Sequence, residues 1–471
     1  MNISFSNSDY KIPVISFFVI LYIFVSLISS NIIIDDSYIT FKYAKNFAEY
    51  FKPWYNLDPT FQGNGQTSII WMWILAFFNF LGIKSEHIFL PINLIAGSFL
   101  IVRLLQHLRF EKNNMFLNFF YFSITLFFIF WLYLNSAHGL ESVFAALILY
   151  LFIKNWDQTL NYYALLLPLI RPEFIIFLLF WNLDSRFFSS DFYKKTLISI
   201  FTILLFALYY VIFFDYYVLL PLIYKSHLTN YSLSKISVYC GLLLIFIPIS
   251  IELARRKKFL SLIPLHILIF YYTNNVESYS SGIFSRYYFP LMCFYLIYDF
   301  NPENFRILGK KVPLFLNVLL LIVFLRMVKL SLNFYQQKKQ IEIENVGYYG
   351  AYKKLVSILH PSDKVSIIDA GFTAYFSDGM CYDGAGLNDA TMLLTRKKND
   401  SSAYRNYITG RKINVITVCS TSGNYFEARS KPEQFIYNAL NLKKYPIHKI
   451  FEMDKGFYLF VYNFDGGYGR N

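Results

Sequence analysis

Residues 31–47 read NIIIDDSYITFKYAKNF, and in them two adjacent acids, Asp35 and Asp36, close an apolar run that begins at residue 12. Run 12–34 is long enough to cross a hydrocarbon core, which takes about 20 apolar residues. It starts after one lysine and lacks a small-residue cleavage site, so it reads as an uncleaved first span and not as a signal peptide. Beyond the acids, Phe41, Ala44, Ala48 and Phe51 recur at helical spacing, with Lys42, Lys45, Asn46 and Glu49 on the other faces. That pattern predicts a helix over 37–51 lying on the membrane surface. The paired acids therefore stand where a span gives way to an interfacial helix.

The rest of the chain repeats the apolar theme. Of its 471 residues 56% are hydrophobic and 15% charged, and the mean hydropathy is +0.40. Further runs at 115–134, 195–214, 234–253, 259–275, 287–299 and 313–333, with shorter ones at 66–83, 87–102, 141–153 and 161–181, bring the total to about eleven hydrophobic segments. The expected fold is a polytopic α-helical membrane domain over 1–334. After residue 334 charges become frequent, and the runs KVSIIDAG, GMCYDG, INVITVCS and GFYLFVYNF alternate with helix-compatible stretches. Residues 340–471 thus read as a soluble α/β domain.

A net charge of +13 would suggest nucleic acid in a soluble protein. Here the basic clusters ELARRKK (252–258) and RILGKK (306–311) lie between apolar runs, where the positive-inside rule accounts for them as cytoplasmic loops, and no nucleic acid is expected. Counting from these anchors places the tail, the loops at 215–233 and 276–286 and the first loop, 35–86, on the extracytoplasmic side. To keep the basic loop 103–114 inside, 66–83 must stay in the outer interface. To keep 186–195 inside, 161–181 must be a re-entrant hairpin bent at Arg171-Pro172, where proline breaks the helix ladder. Cys240 and Cys293 lie in spans; a disulfide between Cys381 and Cys419 is the pairing open to the tail, and no metal-ligand spacing is present.

On the outer face the chemistry-bearing residues have two readings each. Asp35 or Asp36 serves as a catalytic acid or base, or one of them caps the following helix, a position that favours Asp. Glu141 in HGLES is a second acid beside a span, where ionisable groups tend to be functional, or a headgroup-level glutamate with no role. Arg171 and Glu173 in LIRPEF interrupt an apolar run, either as a structural ion pair or in catalysis. Lys225 and Arg286 are fixed cations near the headgroups, suited to a lipid phosphate or to snorkelling anchors.

In this order DDSYITFKYAKNFAE, GQTSIIW (65–71), GLESVFAAL (139–147), LIRPEF (169–174), DYYVLLPLIYKS (215–226), GIFSRYYFP (282–290) and DGAGLND (383–389) resemble the GT-C superfamily of integral-membrane glycosyltransferases. The likeness is nearest to bacterial terminal arabinofuranosyltransferases and their uncharacterised relatives. Two departures stand out: Asn64 where related sequences often carry Glu, and SYSSGIFS before Arg286 without the acid often found there. The resemblance implies transfer of a sugar, arabinofuranose or another pentose or hexose, from a polyprenyl-phosphate donor in the bilayer to an extracytoplasmic glycan, lipid-linked glycan or protein. It implies a bacterial inner-membrane enzyme whose active site and tail face outward. By the same resemblance Asp35, Asp36 and Glu141 are the acids. Arg286, Lys225 and Arg171 meet the donor phosphate. Tyr38, Lys42, Thr67, Glu173, Tyr287, Asp383 and Asp389 are acceptor or sugar contacts. No cofactor is called for, although one acid of the first-loop pair could orient a divalent cation. Two rivals remain open: a lipid or glycan flippase, and a membrane-anchored glycan-binding module whose tail alone would function.

Overall fold

The computed structural model describes residues 11–28, 33–58, 63–107, 115–185, 188–217, 219–225, 259–275, 286–287, 289–291, 293, 347–454 and 456–464. The apolar runs 234–253 and 313–333, most of 287–299, the clusters 252–258 and 306–311, and loop residues 226–233 and 276–285 lie outside the described residues. The helices are α1 (Lys11–Ile28), α2 (Asp35–Tyr50), α3 (Ile69–Phe80), α4 (Ser85–His107), α5 (Met115–Ala137), α6 (Ser142–Lys154), α7 (Leu167–Ile170), α8 (Ile175–Leu183), α9 (Ser190–Phe213), α10 (Leu220–Lys225) and α11 (Phe259–Asn275). In the tail they continue as α12 (Gly347–Ile358), α13 (Phe372–Phe376), α14 (Ala390–Lys397), α15 (Ser401–Gly410) and α16 (Lys431–Leu440). The strands are β1 (Lys364–Ile367), β2 (Met380–Asp383), β3 (Val415–Ser420), β4 (Ile447–Asp454) and β5 (Phe457–Asn463).

The chain divides into two compact units, and neither is a single stretch of sequence. The helical unit takes Met1–Ile32, Glu86–Phe206 and Leu228–Asn333; the mixed unit takes Ile33–Ser85, Ala207–His227 and Phe334–Asn471. The change of composition at 334 thus coincides with one boundary of the mixed unit, which also draws in the first-loop region and residues 207–227.

Within the helical unit a large apolar core gathers Tyr22, Leu100, Trp131, Leu149, Trp156, Phe177 and Trp181, all fully buried. A Cβ on Gly97 would collide with the Tyr22 ring, so glycine lets α1 and α4 approach there. The Tyr22 hydroxyl, buried in that contact, shares a hydrogen bond with Ser136 Oγ at 2.6 Å. Among the described residues two helices, Ser85–Gln106 and Ser190–Phe213, are long and apolar enough to cross a membrane. Along α9 the residues Leu197, Phe201, Leu204, Leu208 and Ile212 are exposed on one side, an apolar stripe with no polar relief. The run 161–181 is broken where the sequence placed the break: α7 ends at Ile170, Arg171 is extended (φ −149°, ψ 116°), and a short turn from Pro172 leads into α8.

In the mixed unit the five strands form one sheet in the order β2-β1-β3-β5-β4. Strand β1 is parallel to both β2 and β3, whereas β3, β5 and β4 run antiparallel. All four β-like runs of the tail are strands; the missing one was β4, which carries His448, Lys449, Glu452 and Asp454 and lacks a clean apolar alternation. Strand β3 is buried along its whole length, in keeping with a strand covered on both faces. Cys381 and Cys419 are both free and buried, which corrects the disulfide expectation. They lie on β2 and β3, the two strands flanking β1, so about 9.5 Å of sheet separates them, beyond the reach of a disulfide.

Helix α3 spans 12 residues. At 1.5 Å per residue it rises about 18 Å, short of the roughly 30 Å needed to cross. Its segment is tied within the mixed unit through a polar approach: Asn64 donates to the Tyr210 hydroxyl (2.7 Å), Gln66 donates to the Tyr209 hydroxyl (3.3 Å), and Gly65 N–H donates to the Tyr43 hydroxyl (2.9 Å). A side chain on Gly65 would run into Asn388, so this crossing of chains needs glycine.

Candidate functional site

Helix α2 begins at Asp35, not at 37, and neither acid caps it. The N-cap is Ile34, which offers no side-chain acceptor, and both acids stand in the first turn, where negative charge is favourable. From there the two diverge. Asp36 is exposed. Asp35 is half-buried, and its carboxyl receives the tail: Gly371 N–H donates to Oδ2 at 3.1 Å and Phe372 N–H to Oδ1 at 2.8 Å.

Burial pushes Asp35 up to about 8; the nearby Asp369 and Asp36 charges push the same way, while the two amides oppose them. A carboxyl that keeps its proton to that pH, and whose two oxygens both face N–H donors, is a poor base near neutrality. It is equally unsuited to a cation, so the first-loop pair does not fit a divalent ion held by both acids, and no step below is routed through one. The sign for stability follows from the shift. The folded pKa lies above the unfolded one, near 4, so protonation stabilises the mixed unit fully below about pH 4, and that contribution is lost as pH rises through about 8. The thermal midpoint of the unit is expected to fall over that range, and less steeply in Asp35→Asn; an unchanged slope in the variant would assign the effect to other groups.

The loop that meets Asp35 is itself held. Asp369 accepts both guanidinium arms of Arg429 (3.1 and 3.1 Å) and the Tyr352 hydroxyl (2.7 Å), and Arg429 continues to the buried Glu433 at 2.9 Å. The Tyr55 hydroxyl donates to Ala370 O at 2.5 Å, and the Tyr349 hydroxyl to Ile33 O at 2.8 Å. Tyr38 is buried among Phe372, Tyr375 and Phe376, with centroids 5.4–5.7 Å apart. Lys42 is half-buried, and burial lowers its ammonium pKa. Thr67 is half-buried just before α3. Sequence reading singled out the stretch 369–389 but missed Asp369, Arg429, Glu433 and Tyr352 as a cluster. The one available signal was a strand followed by Asp-Ala-Gly and a short helix.

The stretch 369–389 meets the first-loop region at 370–376 as described, at Tyr382, whose hydroxyl donates to Asp58 Oδ2 at 2.6 Å, and at Asn388, whose Oδ1 accepts from the Tyr43 hydroxyl at 3.3 Å. Its acids are used locally. Asp383, 1% exposed, accepts Gly386 N–H (3.0 Å), Asn388 N–H (2.9 Å) and the Asn388 side-chain amide (2.9 Å), and burial raises it to about 6. Asp389 caps α14 through Met392 N–H (3.0 Å) and accepts the Tyr407 hydroxyl (2.7 Å). Both carboxylates shape turns, the local role that Asp and Gly favour. Lys225 is the last residue of α10; its side chain lies outside the described residues.

In the helical unit Arg171 is the centre of a separate cluster. Its side chain is 2% exposed; Nη2 lies 2.9 Å from Glu141 Oε1, and Nη1 lies 3.8 Å from Glu173 Oε1. Nη2 also donates to the backbone oxygen of Arg286 at 3.2 Å, and the Tyr272 hydroxyl donates to Glu173 Oε1 at 2.5 Å. Arg286 and Tyr287 are half-buried; the Arg286 guanidinium lies 4.9 Å from the Tyr287 ring centre and donates to its hydroxyl at 2.9 Å. Burial, aided by the Arg286 charge, drops His138 to about 4, so it is neutral at physiological pH. The extended backbone at Arg171 is what turns its side chain toward both acids, and the sequence break at Arg171-Pro172 is therefore also the ion-pair site. Among the described residues no group of three His, Cys, Asp or Glu side chains could hold a metal.

No family model matches the chain, and no curated protein matches it.

Proposed function

We propose that the protein is a polytopic bacterial inner-membrane glycosyltransferase of GT-C type, moving a sugar from a polyprenyl phosphate to an extracytoplasmic glycan or protein acceptor, with Asp36 as general base. The observation that carries the reading is the division of labour between the paired acids. Asp35 is engaged by two backbone amides and is partly buried, whereas Asp36 is exposed and so is the more accessible of the two acids to a substrate. Membrane insertion is supported by the two long apolar helices and the exposed apolar stripe of α9, a surface that suits lipid. The short α3 suits a first loop that stays in the outer interface.

In the reaction the acceptor oxygen attacks C1 of the sugar, the C1–O bond to phosphate breaks, Asp36 takes the hydroxyl proton, and polyprenyl phosphate departs with the electron pair. The departing phosphate gains charge, which a fixed cation stabilises. Lys225, which the resemblance offers for the donor phosphate, belongs to the same unit as Asp36 and is assigned that role. Lys225→Ala is expected to raise the apparent KM for the lipid donor and to leave the acceptor KM unchanged; unchanged donor kinetics would remove Lys225 from the reaction.

The test of the whole reading is a transfer assay on the purified full chain in lipid nanodiscs, offered a panel of polyprenyl-phosphate pentoses and hexoses. Donor-dependent release of polyprenyl phosphate together with a glycosylated acceptor is expected. Donor movement between leaflets of proteoliposomes without any transfer would favour a flippase instead.

A further inference from the structure

Helix α2 carries Asp36 in its first turn and has no side chain of its own at the cap. Within the turn Ser37 N–H donates to Ile34 O at 3.0 Å, and helix ends are where a helix frays first. Here the turn is gripped from the tail. The Asp35 carboxyl sits on the amides of Gly371 and Phe372, and Tyr349 holds the Ile33 carbonyl just before the helix. Rings of α13 enclose Tyr38 one turn on. The tail loop is fixed in turn by the Arg429–Asp369 fork and by Tyr55 on Ala370. Gly371 is packed so closely that any Cβ there would collide with the Asp35 carbonyl.

We propose that Asp35 is a positioning residue: through the Gly371–Phe372 amides it locks the first turn of α2 and so aims the Asp36 carboxylate, which makes the tail loop 369–373 part of the transfer machinery. This role rests on the reading of Asp36 as the base. It departs from an equal partnership of the two acids, and from a tail that serves as a spacer or as an independent glycan-binding module.

The experiment pairs two readouts on the full chain in nanodiscs: steady-state transfer, and hydrogen exchange of peptides covering 33–41 and 369–376. Asp36→Asn should lose turnover with wild-type exchange in both peptides. Asp35→Asn keeps one acceptor oxygen and Asp35→Ala keeps none, so both readouts should worsen in that order, with exchange in the two peptides rising together by about tenfold. Gly371→Ala leaves both acids intact. It should speed the same exchange and lower kcat by about 10²-fold, the cost of displacing a reacting group by about 1 Å, while the donor KM stays within a factor of about two. Should that variant not fold, Tyr55→Phe removes only the hydrogen bond to Ala370 and should give the same pattern at smaller amplitude.

Wild-type turnover in Asp35→Ala, or wild-type exchange at 369–376 in it, would overturn the proposal. So would lost turnover in Asp35→Asn with wild-type exchange, since Asp35 would then act on substrate directly. A wild-type protein that transfers sugar from no donor in the panel would sink the transferase reading and this role with it, even where exchange shows that Asp35 grips the loop.

Discussion

Asp36→Asn lowers sugar transfer by about 10²–10⁴-fold, the range that a positioned general base contributes, while the protein still inserts and folds. The substitution keeps the size and shape of the side chain and removes the basic lone pair. Asp36 is exposed in the first turn of α2, and a surface change of this kind shifts stability by about 0.5 kcal/mol or less. The measurement is kcat for donor consumption beside the thermal midpoint of the same preparation. A variant with wild-type kcat would place the base elsewhere.

Arg171→Ala is expected to have the largest effect on stability. It removes the centre of a buried pair and leaves Glu141, itself 6% exposed, without the guanidinium 2.9 Å away. Breaking a buried ion pair on one side costs about 3–5 kcal/mol, because the remaining charge is stranded. Loss of monodisperse protein on detergent extraction, or a much lower thermal midpoint, is the expected outcome. Replacing both members, Arg171→Met with Glu141→Leu, removes the stranded charge and should recover much of the stability. That double variant also separates two roles: if it is stable and active, the pair only holds the chain break after α7; if it is stable and inactive, Glu141 or Arg171 takes part in transfer. An Arg171→Ala protein as stable as the wild type would mean that Glu141 finds another partner or a proton at no cost.

Several features could be read from the sequence because each is governed by local rules. The end of α7 at Arg171-Pro172 follows from proline chemistry. Helix α11 occupies residues 259–275, the bounds of its apolar run. The four tail strands follow from short β-branched and aromatic runs between turns. Other features depend on contacts across hundreds of residues, to which periodicity is blind. The helical pattern placed the start of α2 at residue 37, since Asp35 and Asp36 add no apolar face, and an N-cap was the local explanation for an acid there. The structure instead gives Asp35 a partner 336 residues away. Strand β4 escaped notice because its charged residues mask a pattern that tertiary pairing with β5 makes good. Arg171 and Glu173 were legible as a pair, but the shorter contact goes to Glu141, 30 residues earlier, which no spacing rule brings to it.

The mixed unit is assembled from three separated stretches of the chain, and this bears on how the protein is made. A ribosome adds about 5–20 residues per second, so some 20–70 s pass between the synthesis of Asp35 and that of the Gly371 and Phe372 amides that it accepts. Through that interval α2 lacks its grip, and residues translated more than 330 positions later complete the surroundings of Asp35. A chain cut off at residue 334 would carry every apolar run named above and still leave Asp35 without its two amides. The surroundings of Asp35 are therefore set only after residues 371 and 372 have been made, and not by insertion of the earlier apolar runs.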